Sequence, residues 1–339
     1  MRRQDAAILT EFGHSAVASP CREPDLAWRL LTSLERKREL YSADPYFREA
    51  AWDAAGVLGD RFYPMLHSTA LLVVKPEALA ARRLRKILNY LEANHFRLVS
   101  YRLLRFSRHV VRELWRYQWN AATIEKMDLA DRTLCSFSTG ILLGLHEMRW
   151  PRQVPAAVRL QSLKGAAALE KRDPGSIRAV LEAPNRMISF VHTSDEPADI
   201  LRELGIFLDR PERAQFFEGL GEKQPTGISE ERRRELERVE EATATADFDA
   251  SAAFTRMIEA ASESLRKELV GHRDRYVKTG KIDWWQFLDL TKRSGAMEWD
   301  VLAVCTSALD HESSAYRPAL KFDDAAMDRW LDHPAPLSL

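Results

Sequence analysis

Cysteine is scarce in this sequence, with 3 residues among 339. Cys21, Cys135 and Cys305 lie far apart and lack the paired spacing of a zinc site or of a disulfide-rich domain, which argues against both. An excess of either charge is also missing, because 50 lysines and arginines balance 50 aspartates and glutamates. A neutral chain has no overall field that attracts nucleic acid or an anionic membrane.

Long hydrophobic runs are absent too. No apolar stretch approaches the ~20 residues that cross a bilayer, and segment 1–15 lacks the hydrophobic region and cleavage site of a signal peptide. We therefore expect a soluble, cytoplasmic protein without membrane contact. Its 339 residues allow two or three domains of about 100–200 residues each.

What the sequence does contain is an alternation of strands and helices between residues 67 and 215. Short apolar or alternating runs predict strands, and apolar residues spaced by three and four predict helices. The last helix is expected to be capped by Ser194 or Asp195. This order predicts an α+β sandwich in which helices cover a sheet. The predicted strands are 70–74, 97–106, 138–147 and 186–192, and the predicted helices begin near 82, 107, 154 and 195.

Helical and charged segments flank this block. Residues 216–248 are polar and highly charged, which predicts a linker or a solvated helix. Trp284 and Trp285 are predicted to lie in the core of a C-terminal helical module. The flanking helices are predicted over 25–41, from a capping Asp25, over 44–58, over 250–269 and over 324–333. The predicted units are a helical extension at 1–66, the α+β domain at 67–215, the charged segment at 216–248 and the helical module at 249–339.

Four motifs in the central block occur in a fixed order. They are KPEA at 75–78, PGSIR at 174–178, HTSD at 192–195 and a helical glutamate at 203. In this order they resemble the nucleoside diphosphate kinase family. That family pairs the lysine of a strand-ending KPDA-like motif with a PGTIR loop, an HGSD histidine motif and a closing helix that carries a glutamate. The resemblance covers residues 68–208.

The resemblance implies a ferredoxin-like antiparallel sheet covered by helices, with N- and C-terminal helical extensions. It also implies a ping-pong transfer in which His192 takes the γ-phosphate of a nucleoside triphosphate. Glu203 would bond the other ring nitrogen and fix the tautomer. Lys75 and Arg178 match the cations that neutralise the phosphate oxygens, and Mg²⁺ would bridge the phosphates without protein ligands of its own.

Each of these residues also has a structural reading. A single histidine after an apolar run is often a core residue, and Lys75 and Arg178 fit ordinary strand-end and loop positions. Glu203 fits the solvent face of an amphipathic helix. The ordered set favours the functional reading over these separate ones.

Several positions depart from the family pattern. Thr193 follows the histidine where the family has glycine or alanine, and its β-branch crowds the turn. Ala167 replaces a threonine whose hydroxyl binds phosphate. The family has an arginine at the position of Gln161, and Arg159 is expected to substitute for it. The nucleotide-binding set is therefore expected to be Lys75, Arg178, Arg159, Trp115, Ser189 and Ser194, with Trp115 in place of a tyrosine and Ser189 in place of an asparagine.

These losses weaken nucleotide binding more than histidine chemistry, because each lost hydrogen bond costs about 1–3 kcal/mol. We therefore expect a divergent phosphotransferase with a specialised nucleotide or acceptor. The alternative is a catalytically weak or inactive nucleotide sensor or scaffold that signals to a protein partner through the C-terminal helices. Nucleic-acid binding is disfavoured, since the basic segment 82–86 has no interleaved aromatic residues. The resemblance also leaves a homo-oligomer open.

Overall fold

The computed structural model describes residues 26–135, 139–149, 153–220, 228–321 and 325–332. Its centre is a four-stranded sheet in the order β2-β3-β1-β4, with every pairing antiparallel. All six residues of β1 are buried, because helices cover both faces of the central strands. The predicted α+β class and antiparallel sheet are confirmed. The strands are β1 (Thr69–Val74), β2 (Phe96–Leu104), β3 (Gly140–Glu147) and β4 (Val191–Thr193).

The N-terminal helix α2 packs against α11 and α12, and α3 contacts β1. The helix predicted over 25–41 is divided in two, because Thr32 and Ser33 between the pieces bond Glu196 instead of continuing the helix. Asp25, its expected cap, lies outside the described residues. The predicted α2 is confirmed, with Asp44 accepting the amide of Tyr46 at 3.0 Å. The elements are a 3₁₀ turn at Trp28–Leu30, α1 (Glu35–Tyr41), α2 (Pro45–Leu58), a 3₁₀ turn at Gly59–Arg61 and α3 (Phe62–Ser68).

The helices between residues 76 and 220 surround the sheet. Four of them were not predicted: α4 and α10 are only five and four residues long, and charged residues interrupt the apolar spacing of α8 and α12. The strand predicted over 186–192 is shorter, since Asn185 Oδ1 accepts the amides of Met187 and Ile188 and turns the chain before β4 begins. The elements are α4 (Pro76–Ala80), α5 (Leu84–Ala93), α6 (Arg108–Leu114), α7 (Arg116–Trp119), α8 (Ile124–Cys135), α9 (Ala156–Lys164), a 3₁₀ turn at Leu169–Lys171, α10 (Ile177–Val180), α11 (Pro197–Phe207) and α12 (Arg210–Leu220).

Helices α2 and α11 approach each other closely. Gly205 of α11 lies against the backbone of Tyr46, where a Cβ atom would overlap the Tyr46 carbonyl oxygen. Inside this contact Arg202 pairs with Asp44 at 2.8 Å, and both side chains are buried. The glycine therefore fixes the position of α11, which is the helix that carries Glu203.

The C-terminal region is helical, as predicted, with different boundaries. The helix predicted over 250–269 is two helices, and α16 and α17 were not predicted. Trp284 is buried, but Trp285 is 64% exposed, so its placement in the core was wrong. The charged segment contains α13, whose Glu240 accepts the amide of Leu84. The helices are α13 (Glu230–Glu241), α14 (Ala250–Ala260), α15 (Glu263–Thr279), α16 (Trp284–Ser294), α17 (Glu298–Ser307) and α18 (Ala326–Asp332).

Candidate functional site

His192 lies in β4 at the edge of the sheet, opposite Val73 of β1. Its Nε2 is 2.9 Å from Oε1 of Glu203, eleven residues further along in α11. The side chain is 16% exposed, so the ring reaches a cleft while most of it is enclosed. A carboxylate on Nε2 holds the proton there and leaves the lone pair on Nδ1. The ring is therefore oriented for attack through Nδ1.

Glu203 is held at both carboxylate oxygens. Ser194 Oγ donates to Oε2 at 2.7 Å, while Oε1 faces His192. Ser194, which was expected to bind the nucleotide, is fully buried and is not among the residues that line the cleft, and its hydroxyl positions Glu203. Nor does Ser194 or Asp195 cap α11, because that position is taken by Glu196 in a capping box with Asp199. The serine fixes the group that in turn fixes the histidine.

The chain around His192 adopts uncommon conformations. Phe190 has φ of +65°, a left-handed value that is costly for a bulky side chain. Its carbonyl nevertheless accepts the backbone amide of Lys75 at 2.9 Å, which joins the histidine segment to the end of β1. Thr193 Oγ1 is buried and has no hydrogen-bond partner among the described residues. Among the described residues the hydroxyl therefore contributes no hydrogen bond to the turn.

A buried acidic cluster lies behind the histidine turn. Lys37 of α1 donates to Glu196 at 2.8 Å and to Asp199 at 2.6 Å. Burial would raise the pKa of the Glu196 carboxyl, but Lys37 and the hydroxyl of Thr32 lower it to about 2. Burial, together with neighbouring carboxylates that include Asp195, raises the pKa of Asp199 in spite of Lys37. The N-terminal segment therefore supplies the cation that balances the carboxylates beneath the site.

Desolvated cations surround the cleft next to His192. Lys75 Nζ donates to the carbonyl of Met187 at 3.0 Å and pairs with Glu77, and burial lowers its pKa. Lys164 pairs with Asp195 at 3.1 Å, and burial lowers its pKa as well. Lys164 was not predicted from the sequence, because it belongs to none of the four motifs. A desolvated cation gains more from a bound anion than a hydrated one does.

Arg178 is positioned by backbone carbonyls. It donates to Gly165 at 2.8 Å and to Val191 at 3.3 Å. Burial, and then Arg172, lower its pKa to about 10. Gly165 has φ of +77°, and a Cβ atom there would overlap Ser176, so the turn that presents this carbonyl requires glycine. Because its partners are carbonyls, the guanidinium charge is not neutralised by them.

An aromatic wall closes one side of the cleft. Trp115 meets the His192 ring edge to face, with ring centroids 5.6 Å apart. The other stacking partner of Trp115 is Trp119, at 4.6 Å and nearly parallel. The ammonium of Lys126 lies 5.3 Å from the Trp119 ring centroid. One face of the expected base-stacking residue is therefore taken by a second tryptophan.

Arg159 was expected near the nucleotide, and the structure corrects this. Its guanidinium bonds Glu147 and the carbonyl of Asn94, and it lies over the ring of Phe96. Glu147 ends β3 at the opposite end of the sheet from β4, so Arg159 does not line the cleft. Arg159 lies near the start of α9 and points away from Lys164, which ends the same helix.

The cleft beside His192 is small, with a volume of about 100 Å³. Of the expected residues it is lined by Lys75, Trp115, Arg178, Ser189 and His192. It is also lined by Lys164, Trp119, Lys126, Arg186 and His311, which sequence reasoning missed. A larger cavity of about 420 Å³ lies at the other end of the sheet beside His95 and Phe96, away from all four motifs.

No carboxylate lines the cleft, and within the described ranges no cluster of histidine, cysteine and acidic side chains is suited to hold a metal ion. A protein site that holds Mg²⁺ by itself usually supplies one or two carboxylates in addition to substrate phosphates and water. The lining residues therefore do not form a magnesium site. In the part of the chain that the structure describes, no helix is both long and apolar enough to cross a membrane.

Comparison with known proteins gives a match for the central block. Residues 68–213 match the family model described as nucleoside diphosphate kinase. Solved structures that resemble the chain include the nucleoside diphosphate kinase of Aquifex aeolicus, at 21% identity and a TM-score of 0.35, over 42% of this chain and 95% of that one. An NDP kinase from Pyrobaculum aerophilum has 16% identity and a TM-score of 0.35, over 43% and 97% of the two chains.

A halophilic nucleoside diphosphate kinase from Halobacterium salinarum, in complex with CDP, is similar at 19% identity and a TM-score of 0.33. That match covers 42% of this chain and 87% of the other. No curated protein sequence matches the chain significantly.

Proposed function

Residues 68–213 form a domain of the nucleoside diphosphate kinase family, and on this premise we propose that the chain transfers the γ-phosphate of a nucleoside triphosphate through a phosphohistidine on His192. The observation that supports this most directly is the 2.9 Å contact from Nε2 of His192 to Glu203 at a cleft lined by cations. We further propose that the acceptor is a specialised nucleotide or phosphate-bearing molecule, since the cleft has lost hydroxyl and amide ligands.

In the first half of the reaction, Nδ1 of His192 attacks the γ-phosphorus. A nitrogen–phosphorus bond forms while the bond to the bridging oxygen breaks, and the nucleoside diphosphate leaves with that electron pair. No proton has to move, because the Nε2 proton stays between the ring and Glu203. In the second half, a phosphate oxygen of the acceptor attacks the same phosphorus and restores the free imidazole.

The cations supply most of the catalysis in this proposal. Phosphoryl transfer depends on positioning and on neutralising oxygens as negative charge moves towards the leaving group. Arg178 is oriented by Gly165 and Val191 and has no carboxylate bound to it among the described residues. Lys75 and Lys164 are already paired with Glu77 and Asp195, so their contribution is smaller. A Mg²⁺ ion that accompanies the triphosphate would be held by phosphate oxygens.

The test is labelling with γ-³²P nucleoside triphosphates and Mg²⁺. Wild type is expected to take up label at an acid-labile, alkali-stable position, and His192→Ala is expected to take up none. His109→Ala serves as the matched control, because His109 lies in α6 and does not line the cleft. Label that persists in His192→Ala would contradict the proposal.

A second function is favoured by one observation. The 100 Å³ cleft is smaller than the 300 Å³ or so that begins the range of small-molecule sites. A nucleotide sensor that signals to a partner through the C-terminal helices binds one ligand and does not have to exchange donor, product and acceptor, so a small cleft restricts it less than it restricts a ping-pong enzyme. Tight nucleotide binding by wild type together with absent labelling would support this alternative. Labelling that is abolished by His192→Ala would exclude it.

A further inference from the structure

The cleft beside His192 receives a residue from the C-terminal region. Residues 309–320, called the C-terminal segment below, lie along the turn between α7 and α8. The amide of Ser313 donates to Ala121 at 2.9 Å, and the amide of Leu320 donates to Tyr117 at 2.8 Å. His311 of this segment lines the same cleft as His192. The segment lies outside residues 68–213, so it is not part of the family domain.

Two further cations meet His311. Lys126 comes from α8, and Arg186 comes from the turn before β4. Arg186 pairs with Glu312 at 3.2 Å, although both side chains are largely exposed. The ammonium of Lys126 contacts the Trp119 ring and bonds no carboxylate among the described residues. Separate elements thus bring three basic side chains together at one end of the cleft.

The basic groups of this cluster lower one another's pKa values. Burial, and then Arg186, lower the pKa of Lys126 to about 8, while Glu312 raises it. Burial, Arg186 and Lys126 lower the pKa of His311 to about 4, against the opposite effects of Glu312 and Asp310. Basic groups that disfavour one another's charge are stabilised together by a multiply charged anion.

We propose that Lys126, Arg186 and His311 form a second phosphate subsite, which binds a phosphate group of the acceptor other than the one whose oxygen attacks the phosphohistidine. The identification of the ligand as the acceptor rests on the proposed function, whereas the binding of a phosphate group at these three residues does not. The subsite lies beyond the paired rings of Trp115 and Trp119. The group that it binds is therefore at some distance from the reacting phosphorus. The subsite restricts the acceptor to molecules that carry a second anionic group.

Phosphate chemistry fits these residues. Lys126 supplies a compact charge, and Arg186 supplies a planar fork that suits phosphate oxygens. A neutral His311 donates one N–H and becomes a second cation when a bound anion raises its pKa. A carboxylic acid would satisfy fewer of these donors than a diphosphate does.

The experiment uses inorganic pyrophosphate as the probe and the full-length protein, with affinity measured by calorimetry at pH 7. Lys126→Ala and Arg186→Ala are each expected to weaken binding about 10-fold or more, the loss for one charge-assisted hydrogen bond. Lys267→Ala, an exposed lysine of α15, is the matched control and is expected to bind like wild type. The subsite is overturned if wild type does not bind pyrophosphate, or if either cleft variant binds it like wild type.

A pH series separates electrostatics from structure. Binding by wild type is expected to weaken between pH 8 and pH 10 as Lys126 loses its proton, while Lys126→Arg keeps its affinity there. Equal pH profiles for the two proteins would overturn the role of Lys126. The proposed function can fail while the subsite is correct. In that case His192 takes up no label, but pyrophosphate binding still depends on Lys126 and Arg186.

Discussion

At the scale of single residues, the site depends on how His192 is held. Glu203 fixes the ring, and Ser194 fixes Glu203 from the side away from the cleft. In the proposed reaction, Glu203 and Ser194 would therefore both affect the rate through Nε2 of His192. Their effects on nucleotide affinity are small, because neither side chain lies among the lining residues.

Glu203→Gln tests this directly. The change removes a charge-assisted hydrogen bond worth about 1.5–3 kcal/mol, so phosphohistidine formation is expected to slow about 10- to 100-fold. The dissociation constant of the nucleotide is expected to stay within about twofold of wild type. Rapid-quench labelling and equilibrium binding give the two quantities. In the double variant Ser194→Ala, Glu203→Gln the effects should not add, because the serine acts through the glutamate.

Thr193 gives a prediction about stability. Its buried hydroxyl has no partner among the described residues, so Thr193→Val is expected to raise the free energy of unfolding by about 1–2 kcal/mol. Thr306→Val is the control, because that hydroxyl donates to Leu302 at 2.7 Å and its loss should lower the same quantity. Urea denaturation measures both. A loss of stability in Thr193→Val would show that the hydroxyl is bonded.

At the scale of elements, the position of α11 relative to α2 decides whether Glu203 reaches the histidine. Gly205→Ala is expected to reduce the free energy of unfolding by about 3 kcal/mol or more, since the added methyl group meets backbone in a packed contact. It should also slow labelling by moving Glu203. Thermal denaturation and the labelling rate are the measurements.

Gly56→Ala in α2 is the matched control for that substitution. A Cβ atom at Gly56 meets nothing within 4 Å, so alanine there should stabilise the helix by about 0.5–1 kcal/mol. Equal effects at the two glycines would contradict the close approach of α2 and α11.

The elements also show what the sequence can predict. β1 was predicted because its apolar run is unbroken, and α2 because Asp44 and Pro45 mark its start. The start of the strand predicted over 186–192 was wrong, because Asn185 turns the chain at Met187 and Ile188 and Phe190 has a positive φ, so β4 begins only at Val191.

For the site, too, local sequence motifs were predictable and contacts between distant segments were not. Ordered motifs indicated Lys75, Arg178, His192 and Glu203, and the structure brings these four residues together around or behind one cleft. The positions of Lys126, Arg186 and His311 were not predictable. They come from segments far apart in the sequence, and each has an ordinary local context without a motif.

At the scale of the whole molecule, Glu196 joins the two flanking regions to the central domain. It accepts hydrogen bonds from Thr32, Ser33 and Lys37 on the N-terminal side. On the C-terminal side it accepts the indole N–H of Trp330 at 2.9 Å. All of these contacts form four residues after His192, directly behind the turn.

Glu196→Gln is expected to lower the free energy of unfolding at pH 7 by about 3 kcal/mol, because Lys37 loses a buried partner. The pKa of Glu196 is lowered to about 2 from a usual value of 4.5, so the unfolded chain binds the proton more tightly. Its contribution is therefore complete above pH 4.5 and is lost as the pH falls towards 2. Urea titrations at several pH values should show the two proteins converging in acid. A constant difference would contradict this.

The contacts of Glu196 also have a consequence for the time course of folding. Thr32 lies 164 residues from Glu196 in sequence, and Trp330 lies 134 residues from it. Contacts that close such long loops form slowly, because chain entropy is lost before they are made. In refolding from denaturant, the sheet signal should therefore return before the ability to label His192. Newly made chains would pass through a folded but inactive stage, in which the contacts of Glu196 behind the His192 turn have not yet formed.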